Sequence, residues 1–93
     1  MYNVLFEPAG FRLFKKLSRP IKAVISQQAE RLKTEPLIGE PLKGKYRQLR
    51  SLHFSHQGVA YRIIYQVFEA TQTVTVRLAD KRENIYKRLE HME

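Results

Sequence analysis

An α+β architecture follows from three features of the sequence. Two apolar stripes at helical spacing lie in the first third of the chain, and three runs of β-forming residues follow them. The links between those runs are short, which joins consecutive strands as an antiparallel meander. A further β-rich segment opens the chain ahead of the first helix. The predicted order is β-α-α-β-β-β: a curved antiparallel sheet with a helical hairpin packed on one face. The 93 residues fall in the range of one domain, taken as 1–93.

Each element has its own justification. Tyr2 to Glu7 is rich in β formers and reads as a first strand, ended by Pro8. Phe11, Leu13, Phe14 and Leu17 recur at helical spacing with Arg12, Lys15 and Lys16 between them, so Pro8 to Leu17 is an amphipathic helix. Ser18-Arg19-Pro20 breaks it, and Pro20 suits the first turn of a new helix. Ile21, Val24, Ile25, Ala29 and Leu32 then form one apolar stripe on a helix from Pro20 to Lys33. So short a break permits a helical hairpin and little else. Pro36, Gly39, Pro41 and Gly44 make Thr34 to Gly44 a loop. Strands are expected over Tyr46–Phe54, Val59–Phe68 and Thr73–Ala79, with turns at Ser55–Gly58 and Glu69–Gln72, and a short helix over Glu83–Met92.

Composition narrows the function. Seventeen Lys and Arg against nine Asp and Glu give a net charge of +8. Hydrophobic residues make up 43%, enough for a small core and too many for a disordered tail. With no cysteine, a disulfide framework, a cysteine nucleophile and thiolate metal sites are excluded. The three histidines do not fall at ligand spacing with a carboxylate, so neither a metal nor a small-molecule cofactor is expected. There is no basic–apolar leader, and no apolar run approaches the ~20 residues that cross a bilayer, so a cytoplasmic protein without membrane association is expected.

The charge is concentrated. Pro41 to Phe68 holds Lys43, Lys45, Arg47, Arg50 and Arg62, together with His53 and His56, and no acid. Such a stretch suits a polyanion, nucleic acid above all, although a basic face can also serve solubility alone. Strand parity places these groups. In Val59–Phe68 a period of two puts Tyr61, Ile63, Tyr65 and Val67 toward the helices, and Arg62, Ile64 and Gln66 on the open face. In the preceding strand Leu52 and Phe54 share one face, Ser51 and His53 the other. The last strand puts Val74, Val76 and Leu78 together, with Thr73, Thr75 and Arg77 opposite. The open face thus collects His53 and Arg62, with Arg77 or Arg82 beside them.

The run Tyr61-Arg62-Ile63-Ile64-Tyr65, preceded by Pro41-Leu42-Lys43-Gly44 and followed by Lys81-Arg82-Glu83-Asn84-Ile85-Tyr86, resembles the RelE/ParE superfamily of toxins from bacterial type II toxin–antitoxin modules. The resemblance extends over nearly the whole chain. It implies a basic concave sheet face and a cognate antitoxin that wraps the toxin. It also implies one of two activities. RelE-like members cut mRNA, usually in the ribosomal A site; ParE-like members poison DNA gyrase and have no known nuclease chemistry. The RelE-like branch is the expectation here and gyrase inhibition the alternative.

Cleavage of the RelE kind uses the substrate's own 2′-OH to attack phosphorus, leaving a 2′,3′-cyclic phosphate and a 5′-OH. The protein positions the phosphate, neutralises its growing charge and moves protons. By resemblance Arg62 is the central arginine that grips the phosphate, the alternative being a solvent-facing arginine. Arg82 holds phosphate or assists the leaving group. Tyr86 stacks on a base, orients the 2′-OH or transfers a proton, or else packs helix to sheet. His53 is a general base or acid, or an exposed strand residue. Ser51 stands where some members carry a second basic side chain. Lys43, Lys45, Arg47, Arg50, Arg77 and Lys81 are RNA-binding candidates, although Arg50 should point away unless a bulge intervenes.

Overall fold

The computed structural model of the chain describes residues 1–92. In chain order the elements are β1 (Asn3–Phe6), α1 (Pro8–Lys15), α2 (Arg19–Glu30), β2 (Glu40–Pro41), β3 (Leu49–His56), β4 (Val59–Phe68), β5 (Thr73–Lys81) and α3 (Ile85–His91). Single 3₁₀ turns follow α2, precede β3 and lead into α3. The strands form one five-stranded sheet in the order β1-β5-β4-β3-β2. The expected meander, β3-β4-β5, occupies its centre, and those strands pair antiparallel. β1 adds alongside β5 in parallel, which is possible because the chain between them, two helices and three strands, is long enough to bring β5 back in the same direction.

The two hairpins differ. His56 pairs with Val59, so β3 and β4 are joined by Gln57 and Gly58 alone, both at positive φ (50° and 78°). That is the backbone of a type I′ turn, whose twist matches its flanking strands. β3 therefore runs two residues beyond its expected end. The β4–β5 link spans residues 69–72 and closes with Gln72 in the left-handed region, at φ 49°.

Apolar residues divide between the two sheet faces. On one, Ile21, Ile25 and Leu32 from α2 and its extension pack on Leu52, Tyr61, Ile63, Tyr65, Val74, Val76 and Ala79. The opposite face is not wholly open, contrary to expectation. There α3 sets Ile85 and Leu89 onto Leu49, Ile64 and Leu78, all of them almost completely buried. Ile64 and Leu78 would otherwise expose a contiguous apolar surface, and covering it is what holds the final helix down.

β5 carries a second departure. Its register with β4 shifts between Ile64 and Tyr65: Ile64 pairs with Leu78 and Tyr65 with Val76, leaving Arg77 as the extra residue of a bulge. One inserted residue reverses the parity beyond it. Leu78 therefore lies with Ile64 on the α3 face, not with Val74 and Val76 as the plain alternation predicts. Arg77 meets Glu7 just past the end of β1, Nε to Oε2 2.9 Å, and does not join His53 and Arg62.

The helical hairpin is also not confined to one face. α1 runs along β5 beyond the end of β1, turning Phe14 toward the α2-side cluster and Leu13 toward the α3-side cluster. Gly10 makes this approach possible, since a Cβ there would lie 2.3 Å from the Arg77 carbonyl oxygen. Gly10→Ala is expected to lift α1 from the strand and to destabilise the protein by about 1–3 kcal/mol in urea denaturation. Stability equal to wild type would mean that α1 does not depend on this contact.

Candidate active site

The site is built on the central hairpin. His53 of β3 and Arg62 of β4 are direct cross-strand partners, so both side chains leave the same face at neighbouring positions. β2 pairs with the start of β3, Glu40 opposite Ser51, and raises one wall beside them. α3 supplies the other. With Ile85 seated in the core, the next residue, Tyr86, is rotated by about 100° around the helix and is half exposed. Together Glu40, Pro41, Leu42, Lys43, Ser51, His53, Arg62 and Tyr86 line a groove of about 370 Å³. Gly58, Val59, Ala60, Lys81, Arg82 and Glu83 line a separate hollow of about 540 Å³.

The electrostatics favour an anion in this groove. Arg62 makes no hydrogen bond or ion pair among the described residues. The His53 pKa is held below its ordinary value of 6.5, first by loss of water around the ring and next by the Arg62 guanidinium. The Glu40 carboxylate opposes this shift, and the Arg82 charge adds a smaller push downward. His53 is therefore neutral at pH 7, the form that accepts a proton. Among the described residues no three His, Cys, Asp or Glu side chains cluster in a way that would hold a metal ion.

Behind the groove, Tyr65 and Arg50 hold the 34–41 loop in place. The Gly39 N–H donates to the Tyr65 hydroxyl (2.8 Å), and Arg50 Nη1 donates to the carbonyls of Gly39 (2.6 Å) and Leu37 (3.2 Å). Burial raises the Tyr65 pKa, opposed by that N–H and by the nearby Arg50 charge. Ser51 is 2% exposed, and its Oγ has no hydrogen-bond partner among the described residues.

Residues 4–90 match the family described as the ParE-like toxin of type II bacterial toxin–antitoxin systems. The chain belongs to this family of toxins. One similar solved chain comes from the RelBE2 toxin–antitoxin complex of Mycobacterium tuberculosis, at 30% identity and a TM-score of 0.74, covering 87% of this toxin and 98% of that chain. The isolated RelE toxin of E. coli is similar in fold at 19% identity and a TM-score of 0.73, covering 99% and 98% of the two chains. The archaeal RelE–RelB complex of Pyrococcus horikoshii OT3 provides a third, at 18% identity and 0.61, with coverages of 87% and 94%. No curated protein matches the toxin significantly.

The toxin brings some of the expected residues together and keeps others apart. His53, Arg62, Tyr86 and Lys43 share the groove. Arg82 and Lys81 line the separate hollow, with Arg82 near enough for its charge to act on His53. Lys45 lies over the Tyr46 ring, 5.2 Å from its centroid. Arg47 caps the Gly44 carbonyl at 3.4 Å. Arg50 and Arg77, expected to contact RNA, are engaged within the fold, the first by the loop carbonyls and the second by Glu7. Arg50 points away from His53, as strand alternation requires, and Arg77, the extra residue of the bulge, is held by Glu7.

Glu40 is the groove residue that sequence reading misses. It lies one position outside the acid-free stretch, on a two-residue strand inside a segment rich in Pro and Gly. Two residues are too few for an alternation to be visible.

Proposed function

We propose that the toxin is an endoribonuclease that cuts mRNA on the ribosome, the substrate's own 2′-OH acting as the nucleophile. The observation that carries this reading is the pairing of Arg62 with His53 on one face of the sheet, in a groove bounded by Tyr86 and Lys43. Arg62 holds the scissile phosphate and stabilises the charge that develops on its oxygens. Neutral His53 takes the 2′-OH proton. Tyr86 stacks on a flanking base or orients the 2′-OH, and as the P–O5′ bond breaks Arg82 stabilises the leaving oxygen from the neighbouring hollow until solvent water protonates it to the 5′-OH. Lys43, Lys45, Arg47 and Lys81 contact phosphates without reading sequence. Relatives solved as toxin–antitoxin complexes support a cognate antitoxin as the partner.

A test is to map mRNA ends on translating ribosomes after addition of purified toxin. New ends carrying a 5′-OH and a 2′,3′-cyclic phosphate are expected. Uncut mRNA despite growth arrest would sink the reading. It would favour the alternative to which the ParE-like family match points, inhibition of DNA gyrase, recognised by loss of supercoiling activity.

The role of His53 has a pH signature. A general base works in its neutral form, and the His53 pKa is lowered. Cleavage is therefore expected to be flat near neutrality and to fall with acidification only below pH 6.5, as the imidazole takes up a proton. His53→Gln should abolish that acidic limb in kcat/KM. An unchanged limb in the variant would assign it to another group.

A further inference from the structure

Arg62 faces a carboxylate that ought to neutralise it. Its cross-strand partner on β5 is Asp80, which leaves the same sheet face. Cross-strand partners have Cβ atoms about 4.5–5.5 Å apart, close enough for an aspartate and an arginine to join in an ion pair. No such pair forms. Asp80 is buried, at 6% exposure, and both of its oxygens are engaged elsewhere. Oδ1 accepts the Lys81 N–H at 2.7 Å, and Oδ2 accepts a hydrogen bond from Arg88 Nε of α3. Arg88 is itself part exposed and lies outside the groove.

We propose that Arg88 is a positioning residue of the site: by holding the Asp80 carboxylate it keeps Arg62 free to bind a phosphodiester. This deepens the reading of the groove as a phosphate site and rests on it. Without Arg88, Arg62 directly across the ladder is a cation open to Asp80. Capture of the guanidinium there would withdraw its donors from the groove and cancel its charge. Arg88 then matters because it diverts the anion. If it only anchored α3, removing either partner of the Asp80–Arg88 pair would have the same effect. The two roles therefore predict opposite results for Asp80→Asn.

The experiment uses the full chain and a fluorescent 2′-O-methyl RNA oligonucleotide, whose blocked 2′ oxygen prevents cleavage. Binding by polarisation at one salt concentration is compared for wild type, Arg88→Gln, Asp80→Asn and the double variant. Arg88→Gln is expected to bind about tenfold more weakly, the loss of one charge-assisted hydrogen bond. Asp80→Asn should bind at least as tightly as wild type, and the double variant should recover to within about twofold of it. In parallel, the Arg62 Nε–Hε resonance should shift in Arg88→Gln and return in the double variant, a readout that needs no RNA. An unshifted resonance, a double variant as weak as Arg88→Gln, or weakened binding by Asp80→Asn overturns the proposal. Should Arg88→Gln fail to fold, Asp80→Asn decides alone: equal or tighter binding supports the role and weaker binding overturns it. If this pattern holds while mRNA stays uncut, the nuclease reading fails and the role of Arg88 in anion binding stands.

Discussion

Arg62→Ala is expected to lower RNA cleavage by about 10²–10³-fold, the effect of removing one preorganised donor to a developing oxyanion. Its effect on stability should stay within about 0.5 kcal/mol, as for a surface position without partners. Two features support this separation. Arg62 is part exposed in the groove, and among the described residues it makes no ion pair or hydrogen bond whose loss would unsettle the fold. Its only assigned work is on the ligand. The measurement is single-turnover cleavage on programmed ribosomes beside a urea titration. Cleavage near the wild-type rate would remove Arg62 from the chemistry. A loss of folding would show that the side chain carries packing which the sheet face does not reveal.

The next residue gives the opposite result. Ile63→Ala should destabilise the protein by about 2–5 kcal/mol, combining lost transfer energy with an unfilled cavity. Ile63 is fully buried, opposite Leu52 and Ala79 in the ladder and in the cluster that α2 covers. Small domains hold only about 5–15 kcal/mol in total, so this one change removes a large share. Folded Ile63→Ala protein should still bind RNA, because the groove is on the other face. Urea midpoints decide: a shift worth less than about 1 kcal/mol would mean that the core closes around the missing atoms. The contrast between positions 62 and 63 follows directly from strand alternation.

That alternation was legible because β4 is regular. Its ten residues keep one parity from Val59 to Phe68, and β3 keeps its own from Leu49 to His56, with a two-residue turn between them. The direct pairing of His53 with Arg62 depends on the turn being Gln57–Gly58 and not the four residues expected, but the placing of both on one face follows from local pattern alone. So does α2, whose stripe of Ile21, Ile25, Ala29 and Leu32 is buried as its spacing requires. β5 was misread for an equally physical reason. A bulge is a property of two strands, set by how one backbone fits the other, and Thr73 to Ala79 alternates as cleanly as a strand without one. Leu78 changed sides on that account, and Arg77, the extra residue, is held by Glu7 instead of joining His53 and Arg62.

The apolar periodicities and the short turns settled the order of elements, the antiparallel centre and the orientation of the 53–62 pair, because each depends on residues close together in the chain. The placement of α3 over Ile64 and Leu78, the position of Glu40 beside the imidazole, the engagement of Arg50 by loop carbonyls and the capture of Asp80 by Arg88 are contacts between separate elements of the fold. Such contacts depend on which surfaces remain uncovered, and which charges remain unpaired, once the sheet has formed. No local pattern encodes that remainder, so it emerges only when the whole chain is packed.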